Sequence, residues 1–200
     1  MRILLAITGA SGAIYGLRLA EELLKSGVTL TMTASPSGIG VCRFETGVEL
    51  AGEPGEIARL LTTRWQTSPE RLNFRDSADL WAPEASGSAA PDLMIVAPCS
   101  MGTLGRIAAG LSGSLIERAA DVMLKEARPL ILLPRETPLS AIHLENMLRL
   151  SQAGARIVPA MPAFYHQPAS LDALVDFVVG KVLDQAGVPH TLFKRWGDTA

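Results

Sequence analysis

The stretch of this chain that could do chemistry first is Thr8-Gly9-Ala10-Ser11-Gly12. Five apolar residues, Ile3 to Ile7, precede it and read as a buried strand of a parallel sheet. From Ala13 the apolar period turns helical, through Ile14, Leu17, Ala20 and Leu24. Strand, glycine-rich turn and helix start together form a cradle for an anion. The glycines let the backbone approach, and the first helical amides and the dipole face the guest. Phosphate suits such a cradle. The spacing Gly9-x-x-Gly12-x-x-x-Gly16 lacks the G-x-G-x-x-G order of dinucleotide sites. The second strand ends Thr31-Met32-Thr33-Ala34-Ser35, with no acid for a ribose, and no Gly-Lys-Ser/Thr marks a P-loop. A mononucleotide such as FMN fits better than NAD or ATP.

A second corner of this kind follows the apolar run Asp92 to Ala97, at Pro98-Cys99-Ser100-Met101-Gly102-Thr103. Ser100, Gly102 and Thr103 could hydrogen-bond a flat heterocycle or its phosphate. Cys99 could serve as a nucleophile, but no His or Asp stands near it in sequence, so a buried, inert thiol is expected. Glu45, among apolar and small residues, reads from its neighbours alone as a surface glutamate. Arg118 and Lys125 share one helix face and read as a solvated stripe. His143 and Asn146 read as packing residues. Trp196, near the end of the chain, is expected to cover a site or a neighbouring subunit.

The elements that must position these groups alternate. Helix Ala13 to Ser26 stops at Gly27, and Val28 to Thr33 is the second strand. Ser35-Pro36 opens a glycine-containing segment towards Gly47; residues 51–90 are the least regular, with a helix from Glu56 to Thr63 and a strand near Leu72 to Phe74. Ser114 caps a helix to Ala127, and Leu130 to Leu133 is a strand. Thr137-Pro138 reads as a helix start, for a helix that holds Ile142, Leu144, Met147, Leu148 and Leu150 and runs up to Gly154. Arg156 to Pro159 is the last strand, and a Ser170-capped helix runs to Gly187. This alternation predicts a three-layer α/β/α, Rossmann-like domain: an open parallel sheet with helices on both faces. Residues 1–200 form one such domain, with a tail from about 188 capping a site or a neighbour. The polar strand ends collect Ser11, Ser35, Ser100 and Arg135.

The 200 residues are 48% hydrophobic, enough for one core, and carry a net charge of −2, which gives no reason to expect nucleic acid or an anionic membrane. The apolar runs are too short to span a bilayer, and Met1 leads straight into a strand, so no signal peptide is expected. Cys42 and Cys99 read as reduced thiols of a cytoplasmic protein, and His143, His166 and His190 are too scattered for a metal site.

Seven strings in register resemble one family: Thr8-Gly9-Ala10-Ser11-Gly12, Ala85-Ser86-Gly87-Ser88, Ala97-Pro98-Cys99-Ser100, Leu115-Ile116-Glu117-Arg118-Ala119-Ala120-Asp121, Pro134-Arg135-Glu136, Ile142-His143-Leu144-Glu145-Asn146-Met147 and Phe164-Tyr165-His166-Gln167-Pro168. The chain resembles the UbiX/Pad1 flavin prenyltransferases over nearly its whole length, through Arg195-Trp196-Gly197. Related flavin-dependent cysteine decarboxylases carry Pro-Ala-Ser-Ala-Asn-Thr where this chain has Pro98 to Thr103. The resemblance implies that reduced FMN accepts a dimethylallyl group from dimethylallyl monophosphate at N5 and then C6. It implies that a UbiD-type decarboxylase uses the product, in routes such as ubiquinone synthesis. It implies FMN contacts from Gly9, Ala10, Ser11, Ser35, Ser100, Met101, Gly102, Thr103 and Arg135, with Ser11 near N5. Lys125, Arg135, Tyr165 and Lys181 would hold the donor phosphate without metal, since the chain lacks the Asp-rich cluster that Mg²⁺ requires. Glu45 and Glu136 would share the acid and proton-acceptor roles. Trp196 would cap the site, within a homododecamer whose sites lie at subunit interfaces.

Two positions depart from the family pattern: Pro36 replaces a lysine, and Lys181 an arginine, keeping the charge but losing the bidentate fork. Trp81 is assigned no role. An FMN-dependent decarboxylase of phenylacrylic or peptidyl-cysteine type is the alternative enzyme, and a non-catalytic flavin-binding subunit the alternative of another class. Retention of Glu45, Lys125, Arg135, Glu136, Tyr165 and Lys181 argues against the latter.

Overall fold

A computed structural model describes residues 1–197. Among them lie β1 (Arg2–Ile7), α1 (Ala13–Lys25), β2 (Thr29–Ala34), α2 (Pro36–Thr46), α3 (Pro54–Arg64), β3 (Leu72–Asp76) and β4 (Leu93–Cys99). Then follow α4 (Met101–Ala108), α5 (Leu115–Lys125), β5 (Leu130–Pro134), α6 (Ala141–Gln152), β6 (Arg156–Ile157) and α7 (Leu171–Ala186). The strands pair in parallel in the order β3-β2-β1-β4-β5-β6. This is the flavodoxin-like α/β sandwich expected from the alternation.

β1 shows why the apolar run is unbroken. Ile3, Leu5 and Ile7 enter a core shared with Leu17, Leu23, Ile57, Leu61, Phe177 and Val182, from α1, α3 and α7. Leu4 and Ala6 enter the opposite core, with Leu104, Ile116, Met123 and Leu150 from α4, α5 and α6. A strand covered on both faces needs apolar residues at every position.

Thr8, fully buried just past β1, ties the two central strands together. Its amide and hydroxyl both donate to the Pro98 carbonyl (3.2 and 2.8 Å), and its hydroxyl oxygen accepts from the Ser100 amide at 2.7 Å. Thr8→Val keeps the shape but leaves that amide unpaired, so urea denaturation should show a loss of about 2 kcal/mol. Unchanged stability would mean these bonds carry no net weight.

Several local expectations change. The segment after Ser35 is a helix despite Gly38 and Gly40, because the Ser35 hydroxyl accepts from the Gly38 amide (3.1 Å) and Pro36 occupies the first turn. The helix expected from Thr137 starts at Ser140 instead. Ser140 and His143 cap each other reciprocally, whereas the Thr137 hydroxyl donates back to the Glu136 carbonyl at 2.8 Å and is not used as a cap. In α6 only Leu150 is buried; Ile142, Leu144 and Leu148 are exposed, because one side of this helix has no partner among the described residues. β6 ends at Ile157, short of Pro159. Arg118 is not a free stripe residue: its Nε donates to the Ala85 carbonyl at 3.1 Å and its Nη1 to Asp121 at 2.7 Å.

Candidate functional site

The chain order reverses between β1 and β4, and ligands of open α/β sheets sit outside the strand carboxyl ends at such a point. The carboxyl ends of β1, β2, β4 and β5 deliver Ser11, Ser35, Ser100 and Arg135 to this edge.

The turn after β1 ends at Gly12, whose φ of 105° lies in the left-handed region that an L side chain rarely adopts. This bend frees the start of α1. The amides of Gly12 and Ala13 donate to one carboxylate oxygen of Glu45, at 2.8 and 3.0 Å. The helix start that the sequence assigns to a phosphate therefore holds a carboxylate of the same chain. Glu45 is solvent-exposed but anchored. Burial acts to raise its pKa, but the Ser11 hydroxyl, the two amides and the charge of Arg135 outweigh it and hold the carboxyl below its ordinary value.

Other donors remain for an anion. The amides of Gly9, Ala10 and Ser11 meet no acceptor in the described chain. α2 begins beside them: a Cβ on Gly9 would lie 2.5 Å from Ser37 Cβ, and one on Gly38 would lie 2.4 Å from the Ile7 carbonyl oxygen. The turn and helix touch backbone to backbone, so the free amides of Gly9, Ala10 and Ser11 form a cradle beside the start of α2, where Pro36 has no N–H and the Gly38 and Ile39 amides already donate to Ser35. α4 adds a third helix start, where the Ser100 hydroxyl accepts from the Thr103 amide at 3.3 Å. Such a cradle fits a flavin mononucleotide: amides for its phosphate, and the turns after β1 and β4 to border its ring.

Arg135 leans over the first turn, its Nε donating to the Ser11 carbonyl at 3.1 Å. Glu136, beside it, accepts from the Thr137 amide at 3.0 Å. Both line a cleft of about 80 Å³ with Met147, Ala160 and Met161. Ser11, Glu45, Arg135 and Glu136 thus occupy one edge.

Of the remaining expected residues, Tyr165 lies on the loop that leaves the carboxyl end of β6, Lys181 on α7 and Lys125 at the end of α5. Tyr165 packs edge-on against Trp196 (5.3 Å) and Phe177 (5.8 Å). Lys181, on α7, lies 3.6 Å from Asp184. No hydrogen bond or ion pair among the described residues joins Tyr165 or Lys181 to Arg135. Lys125 ends α5, which returns the chain to the amino end of β5, the opposite edge from Arg135. Its ammonium pairs with Glu126 at 2.6 Å. One protomer cannot bring Lys125 to Ser11. Trp196 is exposed apart from its contact with Tyr165, and the tail expected to cap the site continues at Asp198 outside the described residues.

Cys99 is fully buried, and that burial pushes its thiol up to about 12. Cys42 is also buried and its thiol raised, again chiefly by burial. Neither should react with iodoacetamide at pH 8 until the protein unfolds, and mass spectrometry showing rapid native labelling of Cys99 would contradict this.

Thr8, Ser37 and Gly38 were not singled out by the sequence reading as site residues. Thr8 was detectable as a hydroxyl directly after an apolar strand, whereas the contact of Gly38 with β1 has no local signature. Among the described residues, no group of three or more His, Cys, Asp or Glu is placed to share a metal ion, and no helix is long and apolar enough to cross a membrane.

Comparison with known proteins gives a consistent result. The model of the Flavoprotein family matches residues 1–183. A flavin prenyltransferase UbiX of Pseudomonas aeruginosa is 49% identical over 197 residues, 98% of this chain and 94% of that protein. The crystal structure of AnUbiX (PadA1) with FMN and dimethylallyl pyrophosphate superposes with a TM-score of 0.88 at 38% identity, covering 100% of this chain and 98% of that one. A dodecameric FMN-dependent UbiX-like decarboxylase from Escherichia coli O157:H7 gives 0.87 at 41% identity, covering 98% and 99%.

Proposed function

This chain belongs to the UbiX flavin prenyltransferases of the Flavoprotein family, and we propose how its residues divide that work. The acceptor is FMN, which the enzyme takes reduced, and the donor is dimethylallyl monophosphate. The chemistry supplied by the bound flavin is a nucleophilic ring nitrogen and carbon. The amides of Gly9, Ala10 and Ser11, with Ser35 and the start of α2, hold the FMN phosphate. Ser100, Met101, Gly102 and Thr103 would border the ring, with Ser11 and Arg135, which bond each other, as its further contacts.

Glu45, held ionised at the start of α1, takes the proton released when the ring is substituted. Glu136, in the cleft beside Arg135, protonates the departing phosphate. Arg135, Tyr165 and Lys181 neutralise that phosphate, with Lys125 supplied by another copy, so no Mg²⁺ is needed. The single observation that carries this division is the convergence of Glu45, Ser11 and Arg135 at the β1–β4 switch point.

The need for Lys125 from a second copy supports sites at subunit interfaces. The exposed Ile142, Leu144 and Leu148 of α6, with Phe44 and Trp81, provide apolar surface for an assembly like the dodecameric neighbour. A UbiD-type decarboxylase then uses the prenylated flavin. Two buried free thiols support a cytoplasmic location.

Incubating the protein with reduced FMN and dimethylallyl monophosphate in excess EDTA should yield a flavin heavier by one prenyl unit. Similarity to a UbiX-like decarboxylase and to a phenylacrylic acid decarboxylase from Aquifex aeolicus favours a decarboxylase as second reading, and flavin recovered with unchanged mass would support that instead.

A further inference from the structure

Asp184, in the last turn of α7, has no part in the reading above. Its Oδ1 accepts from Arg195 Nη2 at 2.7 Å and hydrogen-bonds His190 Nε2 at 3.1 Å. Its Oδ2 lies 3.3 Å from Arg195 Nη1 and 3.6 Å from Lys181 Nζ. The Leu192 amide donates to His190 Nδ1 at 3.3 Å, so that nitrogen is the acceptor and Nε2 carries the hydrogen that faces Asp184. The His190 side chain is only 2% exposed, so this side of the fastening is buried while Arg195 and Lys181 approach Asp184 from the surface.

From this anchor, residues 188–197 run back along α7. Gly180 provides the notch: a Cβ there would lie 2.4 Å from Phe193 Cε1 and 2.6 Å from His190 Cε1. Phe193 then packs on Phe177 at 4.9 Å, and Trp196 reaches Tyr165. Beneath them His166 stacks on Phe177 at 5.2 Å, with both ring nitrogens buried and without a hydrogen-bond partner among the described residues. Aromatic packing, rather than hydrogen bonding by His166, therefore fixes the loop that carries Tyr165. That packing is complete only while the 188–197 strap is held down.

We propose that Asp184 is a positioning residue for the prenyl donor: it fastens the 188–197 strap, so that Phe193 and Trp196 hold Tyr165 ready for the donor phosphate. The same carboxylate orients Lys181, whose ammonium keeps hydrogens free for a second acceptor. This inference rests on the assignment of Tyr165 and Lys181 to the donor. An amide at 184 has one acceptor oxygen and no charge, so it cannot serve Arg195, His190 and Lys181 together.

Steady-state kinetics on the assembled enzyme test this, using Asp184→Asn, Asp184→Glu, Arg195→Gln and Tyr165→Phe. For Asp184→Asn the KM for dimethylallyl monophosphate should rise about tenfold or more while kcat stays within about threefold, the signature of lost donor binding alone. FMN affinity should be unchanged, Asp184→Glu should recover part of the loss, and trypsin should cut at Lys194 and Arg195 faster in the Asp184→Asn protein. Arg195→Gln, which leaves the buried His190 contact intact, should shift KM in the same direction. A raised KM in Tyr165→Phe with an unchanged KM in both clamp variants would overturn the role of Asp184 alone. An unchanged KM in Tyr165→Phe would overturn the donor assignment and the clamp with it. Loss of FMN affinity in both clamp variants would also overturn the proposal, since the strap acts on the donor.

Discussion

Replacing Glu45 by glutamine should leave FMN binding intact and slow product formation by roughly a hundredfold or more, the usual scale for losing an acid–base group. The substitution is selective for a physical reason. A glutamine carbonyl can still accept from the Gly12 and Ala13 amides, so the turn and the start of α1 keep their geometry. The lost charge at the helix start costs only about 0.3–1 kcal/mol of stability. What disappears is basicity. The carboxylate is held in its ionised form by those amides, by Ser11 and by Arg135, and an amide takes no proton. Flavin titration and turnover measured on the same preparation separate the two effects. Full turnover would reduce Glu45 to a helix cap.

Gly38→Ala should weaken FMN binding by about tenfold or more and lower stability, although alanine is the better helix former by about 1 kcal/mol. The new Cβ would lie 2.4 Å from the Ile7 carbonyl oxygen, 2.9 Å from its carbonyl carbon and 3.1 Å from Thr8 Cα, all backbone at the carboxyl end of the central strand. Backbone held in a parallel ladder cannot step aside, and overpacking of this kind costs about 1–3 kcal/mol. Overpacking therefore outweighs propensity. The start of α2 must move away from β1, which opens the amide cradle on which the FMN phosphate reading depends. Gly40, two residues along the same helix, has nothing within 4 Å of its Cβ position. Gly40→Ala should leave FMN affinity unchanged and stabilise by up to about 1 kcal/mol. Equal effects of the two substitutions on flavin titration and urea midpoints would show that the cradle is not at the start of α2.

Local signals were enough for much of this protein. An apolar run buried on both faces, the change of period at Ala13, and serine caps at 114 and 170 each depend on neighbours within a few residues. That is why the alternation, the parallel sheet and the β1 and β4 corners were legible, and why seven short strings sufficed for a family resemblance. Local competition misled the reading where two capping residues stood close together: Thr137 and Ser140 look alike in sequence, and the reciprocal bond with His143 decides for Ser140.

Other features depend on residues that meet only after folding. Glu45 looked like a surface glutamate because its partners, the amides of Gly12 and Ala13, lie 33 and 32 residues away. The same contact occupies the amides at the start of α1 that the sequence alone assigns to a phosphate. Arg135 and the Ser11 carbonyl are separated by 124 residues. Lys125, proposed for the donor phosphate, ends α5 at the opposite edge of its own sheet from Arg135, a placement that only the direction of the helix reveals. Residue types could nominate the groups for this chemistry, but tertiary packing decides which of them share a site.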